Sequence, residues 1–279
     1  MRILISNDDG YQARGIHVLA KVMEPFGSLT VVAPKYHQSA MGMAVSMGFK
    51  KLAFKELPHE SPGDWSYLDA TPASCVKFAL EYKYEDRNPD VVVTGINHGT
   101  NASMAANYSA TVGCAEEGAL NGVKAIAVSV CDFSPNADFS GVEKYFPDIF
   151  RFLMENWPED DFGLLYNINF PACPADDIRG VKITRQGRGH WVREFRPWDE
   201  MVLSRYGVTA GQNWEIMDRP LESGETGYMM VGDFVDDEEE TGDADHRLNM
   251  EGWITITPNK VDRTHYGEYQ RLNSLLEEK

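Results

Sequence analysis

The sequence predicts an α/β protein: a mostly parallel sheet with helices on both faces, followed by a C-terminal extension. Three observations carry that expectation. Short apolar, β-branched runs alternate with stretches of helical periodicity through the first two-thirds of the 279 residues, which is the rhythm of strand–helix–strand units. The core of the Asp90 to Thr94 strand is all apolar, and the Arg2 to Ser6 run is apolar and β-branched, as in strands buried on both faces. From about Gln186 the helical period disappears, and Trp191, Trp198 and Trp214 stand among glycines and charged residues.

Arg2 to Ser6 is the first buried strand, and Asn7 and Gly10 turn the chain out of it. Ile16, Leu19, Ala20, Met23 and Phe26 recur at helical spacing, with a stop at Gly27. Leu29 to Ala33 is a second strand, ended by Pro34, and residues 35–42 form a polar loop beyond it. Residues 43–57 and 64–68 read as an extended, antiparallel excursion. Thr71-Pro72 supplies the N-cap and first position of a helix carrying Val76, Phe78, Ala79 and Leu80. Asp90 to Thr94 is a strand followed by a polar stretch from Gly95 to Asn107. Ser109 to Leu120 is a helix closed by Asn121-Gly122, and Ala125 to Val130 is the next strand. Val142 to Met154 is an amphipathic helix, Leu164 to Phe170 a strand halted by Pro171, and Val181 to Thr184 a short strand. Beyond these, Met229 to Val231 and Trp253 to Thr257 read as isolated strands, and Tyr266 to Leu276 as a terminal helix. The expected division is an α/β domain over residues 1–185 and an extension over residues 186–279 that needs a partner surface.

Apolar residues make up 43% of the chain, enough for a sizeable core. No apolar run approaches the roughly 20 residues that span a bilayer, and the chain opens directly on a strand without a signal-peptide pattern. A soluble, cytoplasmic protein is expected. Cys75, Cys114, Cys131 and Cys173 are scattered, with no Cys-x-x-Cys spacing, and read as reduced small hydrophobes. The net charge of −17 argues against long nucleic acids as partners. It leaves room for a small anion only if the site carries local positive charge. The acidic run Asp236-Asp237-Glu238-Glu239-Glu240, with Asp243 and Asp245 after it, reads as a solvated loop.

In open parallel sheets, ligands collect outside the C-terminal strand ends. Three loops leave those ends with unusual polar content. The first carries Asn7, Asp8 and Asp9; the second Gln38 and Ser39; the third runs Gly95-Ile96-Asn97-His98-Gly99-Thr100-Asn101. Along a strand, neighbouring side chains face opposite ways, but at a strand-to-loop junction Asp8 and Asp9 are free to turn toward one point. Two carboxylates so close repel unless a cation lies between them. Asp8, Asp9, Ser39 and Asn97 are hard oxygen donors, which suits magnesium, manganese or calcium. A helix starting at Ser109 would aim backbone N–H groups at the same region, with Ser109 and Thr111 adding hydroxyls; the plainer reading makes Ser109 an ordinary N-cap. His98 is a candidate proton donor or a simple loop residue. Gly187-Arg188-Gly189-His190 offers cations to a substrate or to a subunit contact. The three tryptophans stack a base or bury themselves at a subunit interface.

These stretches resemble the SurE (survival protein E) family of metal-dependent nucleotidases and acid phosphatases. The matches are Asn7-Asp8-Asp9-Gly10 with Gly15-Ile16, Val32-Ala33-Pro34 with Gln38-Ser39, and Thr71-Pro72-Ala73 with Cys75-Val76. Gly95-Ile96-Asn97 with Gly99 and Asn101, Tyr108-Ser109 with Thr111-Val112-Gly113, Asn167 with Asn169-Phe170-Pro171, and Thr255 to Pro258 follow in order. The resemblance implies a Rossmann-like domain holding a divalent metal, Mg or Mn, on Asp8, Asp9, Ser39 and Asn97. It implies phosphate contacts from Asn101, Ser109 and Thr111. It further implies a C-terminal extension, with hairpin strands and a terminal helix, exchanged between subunits of a homodimer or homotetramer.

The chain departs from the family pattern at Ala40, Ser103 and Ala110, where glycine is usual, and at Ser74 and Ala105, where an acidic residue is. The expected function is 5′/3′-nucleotidase action on nucleoside monophosphates, with Asp8 or Asp9 assisting direct attack by water; a covalent aspartyl-phosphate route is the alternative within that class. A metal-dependent nucleotide-binding regulator with weak or lost catalysis is the alternative from another class.

Overall fold

β1 (Arg2–Ser6) buries Ile3 and Ile5 on one side of the central sheet and Leu4 on the other, the alternation a strand imposes. The computed structural model describes residues 1–48, 50–84, 86–134, 136–159, 161–199, 221–236 and 242–277. β1 pairs in parallel with β2 (Ser28–Pro34) on one flank and β5 (Val91–His98) on the other. β4 (Asp64–Leu68) continues the parallel set beyond β2, while β6 (Lys124–Val130) and β7 (Leu164–Phe170) continue it beyond β5. Taken in chain order, the six parallel strands lie third, second, first, fourth, fifth, sixth, the doubly wound arrangement in which strand order reverses between β1 and β5.

Helices cover both faces. α1 (Arg14–Met23) and α4 (Ser140–Glu155) pack their apolar stripes on the Ile3/Ile5 side, with Ile16, Leu19, Phe146 and Phe150 in the larger core. α2 (Pro72–Phe78) and α3 (Ala110–Leu120) cover the other face, where Val76 and Cys114 pack with Leu4 and Val92. The four cysteines are free thiols, two of them buried.

The 43–68 region is antiparallel only in part. β3 (Phe54–Glu56) pairs antiparallel with β4, but β4 itself is parallel to β2. The expected isolated strand near Trp253 is not isolated either. β13 (Ile254–Lys260) enters the central sheet antiparallel to β7, and β8 (Val181–Ile183) pairs in parallel along its other edge. The last third therefore contributes a buried strand to the main sheet.

Three-residue strands form two small ribbons; the strand expected as isolated over Met229 to Val231 lies in one of them, one residue earlier and paired. β9 (His190–Val192) pairs with β12 (Asp233–Val235), and β10 (Phe195–Pro197) with β11 (Tyr228–Met230). The short α5 (Asp245–Met250) follows, and α6 (Tyr266–Glu277) ends the described chain with no buried residue. Trp214 lies outside the described residues, as do residues 237–240 of the acidic run.

Asp245 overturns its expected place in a solvated loop. Its side chain is fully buried and accepts hydrogen bonds from the backbone N–H groups of Ser103 (3.0 Å), Gly187 (2.9 Å) and His246 (2.8 Å). A buried carboxylate satisfied by several N–H donors ties the loop after β5 to the 186–190 segment and α5.

Candidate metal centre

The chain leaves β1 at Asn7 and must turn at once, because Gly10 has a positive φ of 96° and Tyr11 N–H returns to Pro34 O at 3.0 Å. That turn places Asp8 and Asp9 at the β1/β5 crevice, the position where doubly wound sheets bind ligands. Asp8 is only 3% exposed. Its Oδ1 accepts the Thr111 hydroxyl at 2.5 Å, and its backbone O accepts the N–H of Gln38 at 2.8 Å. Asp9 Oδ1 lies 3.1 Å from His37 Nδ1, and Asp9 Oδ2 is buried with no hydrogen-bond partner. Asn7 Oδ1 beside it is likewise buried and unpartnered.

Burial, and then the neighbouring charge of Asp9, push the Asp8 carboxyl up from its ordinary 3.8 to about 7; the Thr111 hydroxyl and His37 pull the other way. Two adjacent acids with an idle buried oxygen are costly in isolation. A divalent cation relieves both problems, and the donor chemistry fits one.

Ser39 reaches the acid pair through His37, whose Nε2 is 2.8 Å from Ser39 Oγ. The loop carrying them lies against the start of α3: Gly42 N–H donates to Tyr108 O at 3.0 Å, and a Cβ on Gly113 would stand 2.3 Å from Gly42 O. Only glycine at 113 allows that approach. Asn97 leaves the end of β5, next to β1, and its amide nitrogen donates to Gly99 O at 2.9 Å. The side-chain carbonyl is the end left for a ligand. Among the described residues no cluster of three or more His, Cys, Asp and Glu side chains is arranged to hold a metal. Neutral oxygens such as those of Ser39 and Asn97 are needed to complete a shell around two carboxylates.

The residues expected to touch phosphate have structural work of their own. Ser109 caps α3, its Oγ accepting from Val112 N–H at 3.1 Å. Thr111 is fully buried, with its hydroxyl given to Asp8 rather than turned to a ligand, and its carbonyl accepting from Thr94 Oγ1 at 2.8 Å. Asn101 is braced on three sides: its N–H donates to Asn169 Oδ1 (2.8 Å), its amide to Ser129 Oγ (2.7 Å), and its carbonyl accepts from Asn167 Nδ2 (2.7 Å). What α3 does present to the acid pair is its N-terminus, the positive end of the helix dipole.

His98 Nδ1 donates to Ser134 O at 3.0 Å, and its ring meets the edge of Phe139, which fixes its orientation. Gly189 O accepts from Met104 N–H at 3.2 Å, so the 187–190 segment leans on the loop after β5. Trp191 packs edge-on against Phe234 in the β9/β12 ribbon, partly exposed. Sequence reasoning passed over His37. Its place two residues before Ser39 was the available signal.

The sequence model of the family described as Survival protein SurE matches residues 3–193. A Bacteroides fragilis protein named 5′-nucleotidase SurE is 34% identical over 277 residues, covering 98% of this chain and 96% of that protein. One of the same name from Petrotoga mobilis is 34% identical over 285 residues, covering 99% and 100%. The crystal structure of the SurE protein from Aquifex aeolicus superposes with a TM-score of 0.76 at 26% identity, over 99% of both chains. An aspartate pair at the sheet's switch point, and likeness over almost the whole length, lead to one conclusion: the chain belongs to the survival protein SurE family.

Proposed function

We propose that this chain is a metal-dependent phosphomonoesterase that hydrolyses nucleoside 5′- or 3′-monophosphates, with Mg2+ or Mn2+ held by Asp8, Asp9, Ser39 and Asn97. The observation that carries the reading is the adjacent acid pair, Asp8 buried and Asp9 with a buried, idle Oδ2, set against the N-terminus of α3. The printed names of the relatives, 5′-nucleotidase SurE, support the substrate class. A bound divalent cation would supply the charge that phosphoryl oxygens need and lower the pKa of a water.

The chain's own residues do the rest. The N-terminus of α3 and the loop through Asn101 receive the phosphate and the charge that builds on it. Thr111 holds Asp8 in place, and Asp8 or Asp9 orients the attacking water and takes its proton. Direct attack by water is preferred over an aspartyl-phosphate, because the acids are adjacent rather than two positions apart. Trapping a phosphoenzyme would reverse that preference.

The exposed Leu272, Leu275 and Leu276 of α6, and Phe195, Tyr228 and Met230 of the ribbons, support a second copy as their cover, in a homodimer or homotetramer. Unpaired cysteines support a cytoplasmic setting, and among the described residues no helix is long and apolar enough to cross a membrane. The test is a panel of nucleoside 5′- and 3′-monophosphates with Mg2+ or Mn2+, scored by released phosphate, with an Asp8→Ala/Asp9→Ala variant beside it. Turnover lost in a folded variant supports the reading. Binding without phosphate release across the panel would replace it with the regulatory one.

A further inference from the structure

We propose that His37 is the positioning residue of the metal centre: one imidazole joins Asp9 to Ser39 and presets both for a divalent cation. The inference rests on the metal-dependent reading above. Asp9 belongs to the loop after β1 and Ser39 to the loop after β2. The ring spans the gap between them, with Nδ1 3.1 Å from Asp9 Oδ1 and Nε2 2.8 Å from Ser39 Oγ.

Asp9 assigns the role of the nitrogen that faces it. A carboxylate only accepts, so Nδ1 carries the proton that faces Asp9. Nε2 is left for Ser39 Oγ, and a hydroxyl can donate or accept, so the bridge closes on Ser39 in either case. Both consequences serve a cation. Asp9 is engaged through Oδ1, and its other oxygen, Oδ2, is the buried one without a partner. Ser39 Oγ makes one hydrogen bond to the ring and keeps a lone pair for a cation. His37 is itself held from the side, because the turn at Gly10 stacks on the Tyr36–His37 backbone, with a would-be Cβ at 3.4 to 3.6 Å. Its side chain is 30% exposed, so replacing it removes the bridge without opening a core cavity.

Residues that hold metal ligands, without binding the metal, typically contribute 10–100-fold to its affinity. The experiment titrates Mn2+ into full-length wild type, His37→Ala and His37→Gln by calorimetry, with metal-free melting curves as the folding control. Wild type is expected to bind Mn2+, His37→Ala to bind it about 10–100-fold more weakly, and His37→Gln to recover most of the loss. The Gln amide carries a donor for Asp9 and an acceptor for Ser39. The Mn2+ concentration giving half-maximal phosphate release should rise in step with the binding constant.

Mn2+ bound equally well by wild type and His37→Ala overturns the proposal and leaves the metal-dependent reading standing. Unchanged Mn2+ affinity with turnover lost at every metal concentration also overturns it, and makes His37 catalytic instead. A wild type that takes up no divalent cation removes the metal reading itself, and this inference with it.

Discussion

Replacing Asp8 with Asn should make the metal-free protein more stable while abolishing its use of a cation. Asp8 is 3% exposed, and its carboxyl is raised from 3.8 to about 7, first by burial and then by the charge of Asp9. A folded-state pKa above the unfolded one contributes stability that is complete below 3.8 and is lost as pH rises through about 7. At pH 8 the full displacement corresponds to roughly 4 kcal/mol. Relaxation of the acid pair and water entry bring the expected gain for Asp8→Asn down to about 2 kcal/mol. The amide keeps the size of the side chain and an oxygen for the Thr111 hydroxyl. Urea denaturation of both proteins in EDTA, from pH 4 to 8, should show the variant pulling ahead only as pH rises. Mn2+ at a hundredfold excess over its Kd should then stabilise wild type by about 3 kcal/mol and leave the variant unmoved. A metal-free Asp8→Asn protein less stable than wild type at pH 8, or an equal Mn2+ response in both, would refute the reasoning.

Three further outcomes follow from the same geometry. Ala40 and Ser103 hold positive φ values of 57° and 55°, so Ala40→Gly and Ser103→Gly should each stabilise by up to about 1 kcal/mol in thermal melts. Thr111→Val keeps the shape of a fully buried residue but removes the donor to Asp8; it should cost about 2 kcal/mol and weaken Mn2+ binding in calorimetry. Asp245→Ala strands three backbone N–H groups and should cost about 3 kcal/mol or more, with hydrogen exchange rising at Ser103 and Gly187.

The strand ends that build the site were legible because buried parallel strands announce themselves locally. Arg2 to Ser6 has an apolar core closed by Asn7, Leu164 to Phe170 is halted by Pro171, and the structure keeps both bounds. What local pattern does not encode is who stands beside whom. Ile254 reads as a strand, but its seat between β7 and β8 depends on residues far away in the chain. Asp245 fails in the same way: its surroundings in sequence are acidic and look solvated, while its donor Ser103 is 142 residues distant. β9, β10, β12 and the six-residue α5 are too short for either period to register. Thr111 was expected to touch phosphate from its place on α3, but its hydroxyl has one proton to donate, and Asp8 holds it.

The possibility that this chain binds nucleotides without turning them over grew from its departures at Ser74, Ala40, Ser103, Ala105 and Ala110, and their physical consequences differ. Ala110 opens α3, where alanine is the favoured residue, so its cost is nil. Ser74 accepts the N–H of Ser46 at 2.7 Å and the Thr71 hydroxyl at 2.9 Å, pinning the end of the Ser39 loop to α2. Ala40 and Ser103 do strain the backbone, but other contacts hold their loops: Gly42 to Tyr108 for one, Asp245 for the other. These effects fall on stability or loop closure, the change at Ala105 has no structural explanation, and none removes an oxygen from Asp8, Asp9, Ser39 or Asn97. Asp8 keeps a carboxyl that burial and the neighbouring charge of Asp9 both penalise. That penalty at the switch point argues for a cation in use, which the nucleotidase and the metal-dependent binder share, so phosphate release is the measurement that separates them.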